Sequence, residues 1–130
     1  MVLKGRVING GSVTAEAVVL DTPFSFIGDF DAETGQLILS GHPLEGESIA
    51  GKVLVIPTGK GGTIAPWMAF DAAKRHMAPA AILCKRSEPI TCECAITIDI
   101  PMLDSFEENI LDIIKSGQRV HIDGESVTIE

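Results

Sequence analysis

Apolar residues in this chain fall mostly in short runs divided by glycine and proline, and only two segments carry helical spacing. LKGRVING, the pair Gly10–Gly11 and SVTAEAVVL read as two strands about a tight turn. DTPFSFIGDFDAETG is rich in turn formers, yet it holds Phe24, Phe26 and Phe30, half of the chain's six Phe and Trp, which predicts anchoring or recognition. QLILS reads as a short strand, HPLEGESIAG as a loop and KVLVIP as the clearest strand. TIAPWMAFDAAKRHMA reads as a helix with Pro66 in its first turn and Thr63 as N-cap. Trp67 and Phe70 keep helical spacing, and Lys74–Arg75–His76 close the segment where the helix dipole favours cations. AAILCK is a second buried strand, so residues 53–84 are expected to form a right-handed parallel strand–helix–strand unit. ITCECAITI fits extended structure or a short helix, and both readings stay open. IPML reads as a core strand and SFEENILDIIKSG as an amphipathic helix capped by Ser105 or Asp104. QRVHID and SVTIE read as a closing hairpin. The expected fold is α/β: one domain over residues 1–130, with mixed sheets and about two main helices.

Composition narrows the class. The chain has 130 residues, 45% hydrophobic and 22% charged, which suits an ordinary globular domain. A net charge of −8, with ten scattered basic residues, speaks against nucleic acid. No apolar run approaches the roughly 20 residues of a membrane span. The opening MVLKGRVINGG has no apolar region followed by a small-residue cleavage site, so the expected location is cytoplasmic. Three cysteines, Cys84, Cys92 and Cys94, make an odd set that argues against a disulfide framework. On a strand Cys92 and Cys94 would share a face, but the four-ligand spacing of a structural metal site is missing. They read as small buried hydrophobes, and no metal is expected in this chain.

The segment IPTGKGGTIAPW carries the candidate chemistry. A strand that ends in glycines and opens a helix bares backbone amides beside the positive end of a helix dipole. Gly59, Lys60, Gly61, Gly62 and Thr63 are therefore candidate ligands for a carboxylate or phosphate, with Lys60 adding a full charge at the rim. The alternative is that the glycines only permit a tight strand-to-helix turn. Lys60 precedes the second glycine, so the spacing is not that of a nucleotide-binding P-loop. No histidine stands beside a nucleophilic Ser or Cys, and no H-E-x-x-H is present. Any catalysis at this loop then needs groups from a second chain.

Three blocks in order give a resemblance to a known family. They are Pro23, Ser25, Phe26, Gly28, Asp31, Thr34 and Gly35; then His42, Pro43, Leu44, Gly46, Ser48, Ala50 and Gly51; then LVIP followed by GKG. Together, over roughly residues 15–67, the chain resembles the small subunit, or swivelling domain, of the aconitase X family. That resemblance implies a swivelling β/β/α fold paired with a large subunit that holds an iron–sulfur cluster. The pair would dehydrate a small hydroxy acid such as 5-phosphomevalonate or cis-3-hydroxyproline. It further implies that Ser25 and Phe26 line the substrate cleft opposite the glycine loop. The family usually places a proton-abstracting serine where this chain has Gly62, and commonly a second glycine where it has Asp29. Thr63 is the candidate replacement for proton transfer, with a base from the partner as another possibility. The alternative function is a non-catalytic module that binds a small anion and has lost the base.

Overall fold

The computed structural model describes residues 1–130. Its eight strands are β1 (Val2–Lys4), β2 (Arg6–Asn9), β3 (Ser12–Val19), β4 (Val53–Ile56), β5 (Ala81–Cys84), β6 (Met102–Asp104), β7 (Arg119–Asp123) and β8 (Ser126–Ile129). Three helices, α1 (Ala65–Lys74), α2 (Pro89–Ile98) and α3 (Ile110–Ile113), complete the set. All strands join one sheet in the order β1-β8-β7-β3-β4-β5-β6-β2. Its edges, β1 and β2, are separated in sequence by Gly5 alone, so the sheet must curl until its two ends meet at that residue. The expected mixed α/β architecture is thus realised as a nearly closed barrel. No helix is long and apolar enough to cross a membrane.

The central strands β3, β4, β5 and β6 pair in parallel. Parallel strands covered on both faces must be apolar at every position, and VLVI and AILC are fully buried. Side chains alternate along a strand, so each central strand feeds two cores. Leu54, Ile56, Ile82 and Cys84 enter one core, roofed by α1, α2 and the aromatic loop. Val53, Val55, Ala81 and Leu83 enter the other, with α3 and the β7–β8 hairpin. Phe24, Phe26 and Phe30 stack edge to face, with ring centroids 5.1 to 6.4 Å apart. They give the long connection between β3 and β4 its anchor.

Several sequence expectations are corrected. β2 and β3 do not form a hairpin: β2 pairs with β6, and β3 lies between β7 and β4. The alternating pattern around Gly10–Gly11 is real, but the partners are distant in sequence. QLILS makes only isolated bridges, Phe30 with Leu37 and Gln36 with Ser48. Of the two readings left open for ITCECAITI the helix is realised: it is α2, begun by Glu88, whose carboxylate accepts from Ile90 N and Thr91 N, with Pro89 at the first helical position. Cys92 and Cys94 consequently do not share a face. The helix expected over SFEENILDIIKSG shrinks to Ile110–Ile113, capped by Asn109. Asp104 cannot cap it, because its carboxylate takes a two-pronged bond from Arg6, 2.8 Å each, and accepts from Ser87 N. Ser105, with φ of 59°, turns the chain away from helix.

Candidate functional site

The glycine loop joins the carboxyl end of β4 to α1, the position at which open parallel sheets present ligand sites. Its backbone donors are unevenly available. Lys60 N donates to Phe24 O at 3.0 Å and is spent, whereas the amides of Gly59, Gly61, Gly62 and Thr63 enter no backbone hydrogen bond. Gly59 is buried, so the accessible donors narrow to Gly61, Gly62 and Thr63. A Cβ at Gly59 would fall on the Thr91 hydroxyl, with Glu88 Oε2 2.9 Å away. Glycine is required there for the loop to lie on the start of α2.

Thr63 is exposed and stands outside the helix cap: the N-cap of α1 is Ile64, with no side-chain hydrogen bond. The expected capping role of Thr63 is therefore absent, and its hydroxyl stays available. Gly62 is also exposed, at φ of 95°, and a Cβ there would meet Ile27 Cγ2 at 2.7 Å. The position is shaped around a missing side chain.

Ser25 and Phe26 have supporting places. Ser25 Oγ donates to Gly61 O at 2.7 Å and accepts from Ile27 N at 3.1 Å, tying the aromatic loop beneath the glycine loop. Phe26 is buried in the aromatic cluster, without surface to offer a ligand. Lys60 Nζ lies 2.8 Å from Asp29 Oδ2, an oxygen that also accepts from Ser25 N at 3.0 Å. The Asp29 side chain is only 11% exposed, so the rim charge of Lys60 is largely answered from within the chain. Sequence reasoning missed this pair and missed Glu88. Two acidic residues bracketing a glycine loop were visible in the sequence, but their convergence was not.

No group of three or more His, Cys, Asp or Glu is placed to hold a metal ion. A cluster needs thiolates, and the cysteines here do not fit that need. Burial pushes the Cys94 thiol up to about 12 and raises that of Cys84 as well. Both are packed as core residues, in keeping with the reading of small hydrophobes.

The family model of the aconitase X swivel domain matches residues 2–130. The chain belongs to the aconitase X swivel-domain family. Among its relatives is the phosphomevalonate dehydratase small subunit of Methanothermobacter thermautotrophicus, 42% identical over 120 residues and covering 92% of each chain. The protein of that name in Thermococcus kodakarensis is 40% identical over 130 residues, covering 100% of this chain and 96% of the relative. In three dimensions the chain is similar to a crystal structure of Thermococcus kodakaraensis aconitase X in its holo form. The TM-score is 0.92 at 38% identity, over 100% of this chain and 98% of that one. A solution structure of a UPF0107 protein matches with a TM-score of 0.90 at 32% identity, over 100% and 99% of the two chains. The swivel-domain fold expected from the three sequence blocks is therefore established over the whole chain.

Proposed function

We propose that this chain is the small subunit of a cytoplasmic dehydratase that removes water from a phosphorylated hydroxy acid of the 5-phosphomevalonate kind. The relatives' names support the reaction and favour a phosphorylated substrate over cis-3-hydroxyproline. The carrying observation is local: an unengaged Thr63 hydroxyl stands beside the unpaired amides of Gly61, Gly62 and Thr63 at the start of α1. Those amides bind the substrate carboxylate, helped by the positive end of α1. Binding the carboxylate there presents the adjacent C–H to Thr63 Oγ1, which takes the proton as its alkoxide in place of the family's serine, its own proton having first passed to a base of the partner chain. Ser25 holds the loop in shape through Gly61 O.

The loop is open, so a partner must close it. The partner is a large subunit that carries the iron–sulfur cluster, which supplies the Lewis acid for the leaving hydroxyl. It covers Ile64, Trp67 and Phe70, exposed apolar residues continuous with Thr63. Trp67 and Phe70 also border a cleft of about 390 Å³ with Pro66, Glu93 and Thr97.

Purifying the chain together with its large subunit tests the reading. A brown complex that dehydrates the substrate is expected, with each chain inactive alone. Thr63→Val should lower kcat by about 10²- to 10⁴-fold, and Thr63→Ser should retain most of it. Unchanged turnover in Thr63→Val removes Thr63 from the chemistry. Gly62 in the serine position favours one other reading, an anion-binding module without catalysis. A complex that binds carboxylates yet turns over only after Gly62→Ser would establish it.

A further inference from the structure

We infer that the cleft lined by Pro57, Thr58, Lys85 and Arg86 is a second anion subsite, one that takes the phosphate monoester end of the substrate. This rests on the dehydratase reading for the substrate's identity, but not for the site itself.

The cleft, about 300 Å³, opens at the carboxyl ends of the neighbouring parallel strands β4 and β5. It is one residue removed from the glycine loop, since Thr58 precedes Gly59. Lys85 and Arg86 supply its charge. Six of the chain's ten basic side chains, Lys4, Arg6, Lys52, Lys60, Arg75 and Arg119, lie within ion-pair distance of a carboxylate, and Lys74 lies over the Phe70 ring. Lys85, Arg86 and Lys115 have no such partner, and of these only Lys85 and Arg86 line a common cleft. In a chain of net charge −8, two adjacent unanswered cations on one cleft wall form a local reversal of sign. Their backbone is fixed: Lys85 N donates to Ile56 O at 3.2 Å and Arg86 N to Pro57 O at 3.1 Å. The nearest acidic residue in sequence, Glu88, turns its carboxylate to the start of α2 instead.

Charge decides which end of a two-headed anion goes where. At the glycine loop Lys60 is already answered by Asp29, which leaves amide dipoles suited to a singly charged carboxylate. A phosphate monoester carries nearly two charges and three acceptor oxygens, and it matches a guanidinium fork beside an ammonium. Thr58 adds a hydroxyl at the same wall.

The isotope-labelled full chain, titrated with methyl phosphate and separately with acetate at fixed ionic strength, tests the site. Methyl phosphate should shift the amide signals of Thr58, Lys85 and Arg86 saturably, and acetate should not. The Lys85→Gln/Arg86→Gln double variant, altered only at exposed positions, should keep its spectrum and lose the response. Shifts that fail to saturate, that acetate reproduces, or that survive the double substitution overturn the subsite. In the two-chain complex the same variant should raise KM for the phosphorylated substrate about tenfold or more, with kcat moved far less. An active complex whose KM ignores the variant discards the subsite and keeps the dehydratase. A complex without dehydratase activity, whose small chain still binds methyl phosphate at this cleft, does the reverse.

Discussion

Gly59 and Gly62 look alike in sequence and differ in what they tolerate. At Gly59 a methyl group would meet Thr91 and Glu88, which together begin α2, so relief requires breaking that cap. Gly59→Ala should cost about 3 kcal/mol, at the upper end for overpacking, seen as a lowered midpoint in denaturant. At Gly62 the obstacle is the Cγ2 methyl of Ile27 and a positive φ, a smaller overlap than at Gly59. Gly62→Ser should cost about 2–3 kcal/mol, the backbone strain and the overlap together, and leave a folded chain. The glycine pattern was legible as a loop, but neither distinction was. They arise from α2 at Gly59 and from Ile27 at Gly62, each some thirty residues away in sequence.

The strand pair at one edge of the sheet carries a pH dependence. β2, one edge of the sheet, is tied to its neighbour β6 by Arg6 and Asp104, whose side chain is only 2% exposed. Burial alone would raise the Asp104 carboxyl, but bonds from Arg6, Ser87 and Ser105 outweigh it and hold the group at about 2. A depressed native value means that the stability is present above the unfolded value near 4 and is lost as pH falls toward 2. That contribution is about 2 kcal/mol. Asp104→Asn should therefore lower stability at pH 7 and narrow its gap to the parent between pH 4 and 2, measured by urea unfolding at each pH. Helices α2 and α3 mark the limit of reading single elements. The β-branched run of α2 favours a strand, and only Glu88–Pro89 signals its start. The pattern after Asp104 favours a long helix, but Arg6 and Ser87 N already occupy the Asp104 carboxylate and Ser105 turns the chain away.

For the whole molecule the outward face of α1 is the surface left for a partner. Helical spacing placed Trp67 and Phe70 on one face, but the buried positions are Ala65, Pro66, Ala69 and Ala72. Small residues let α1 lie close to α2 and the sheet, and the large ones are turned outward, with Trp67 73% exposed. Trp67→Glu should leave the melting temperature of the isolated chain unchanged and weaken the complex by about 2 kcal/mol or more, read by titration calorimetry. A complex of undiminished affinity would move the partner to another face.

What the residue order alone determined was local: the β4–α1–β5 unit, the closing hairpin, the glycine loop between strand and helix, and the three blocks that mark the family. Each follows from periodicity, turn chemistry or a motif within a few tens of residues. Tertiary structure decided the rest. It paired β2 with β6 rather than β3, withdrew the Lys60 amide and much of its charge from the loop, and left Thr63 outside the helix cap. These outcomes depend on which distant groups compete for the same donor, acceptor or volume, and that competition exists only once the sheet has closed on itself.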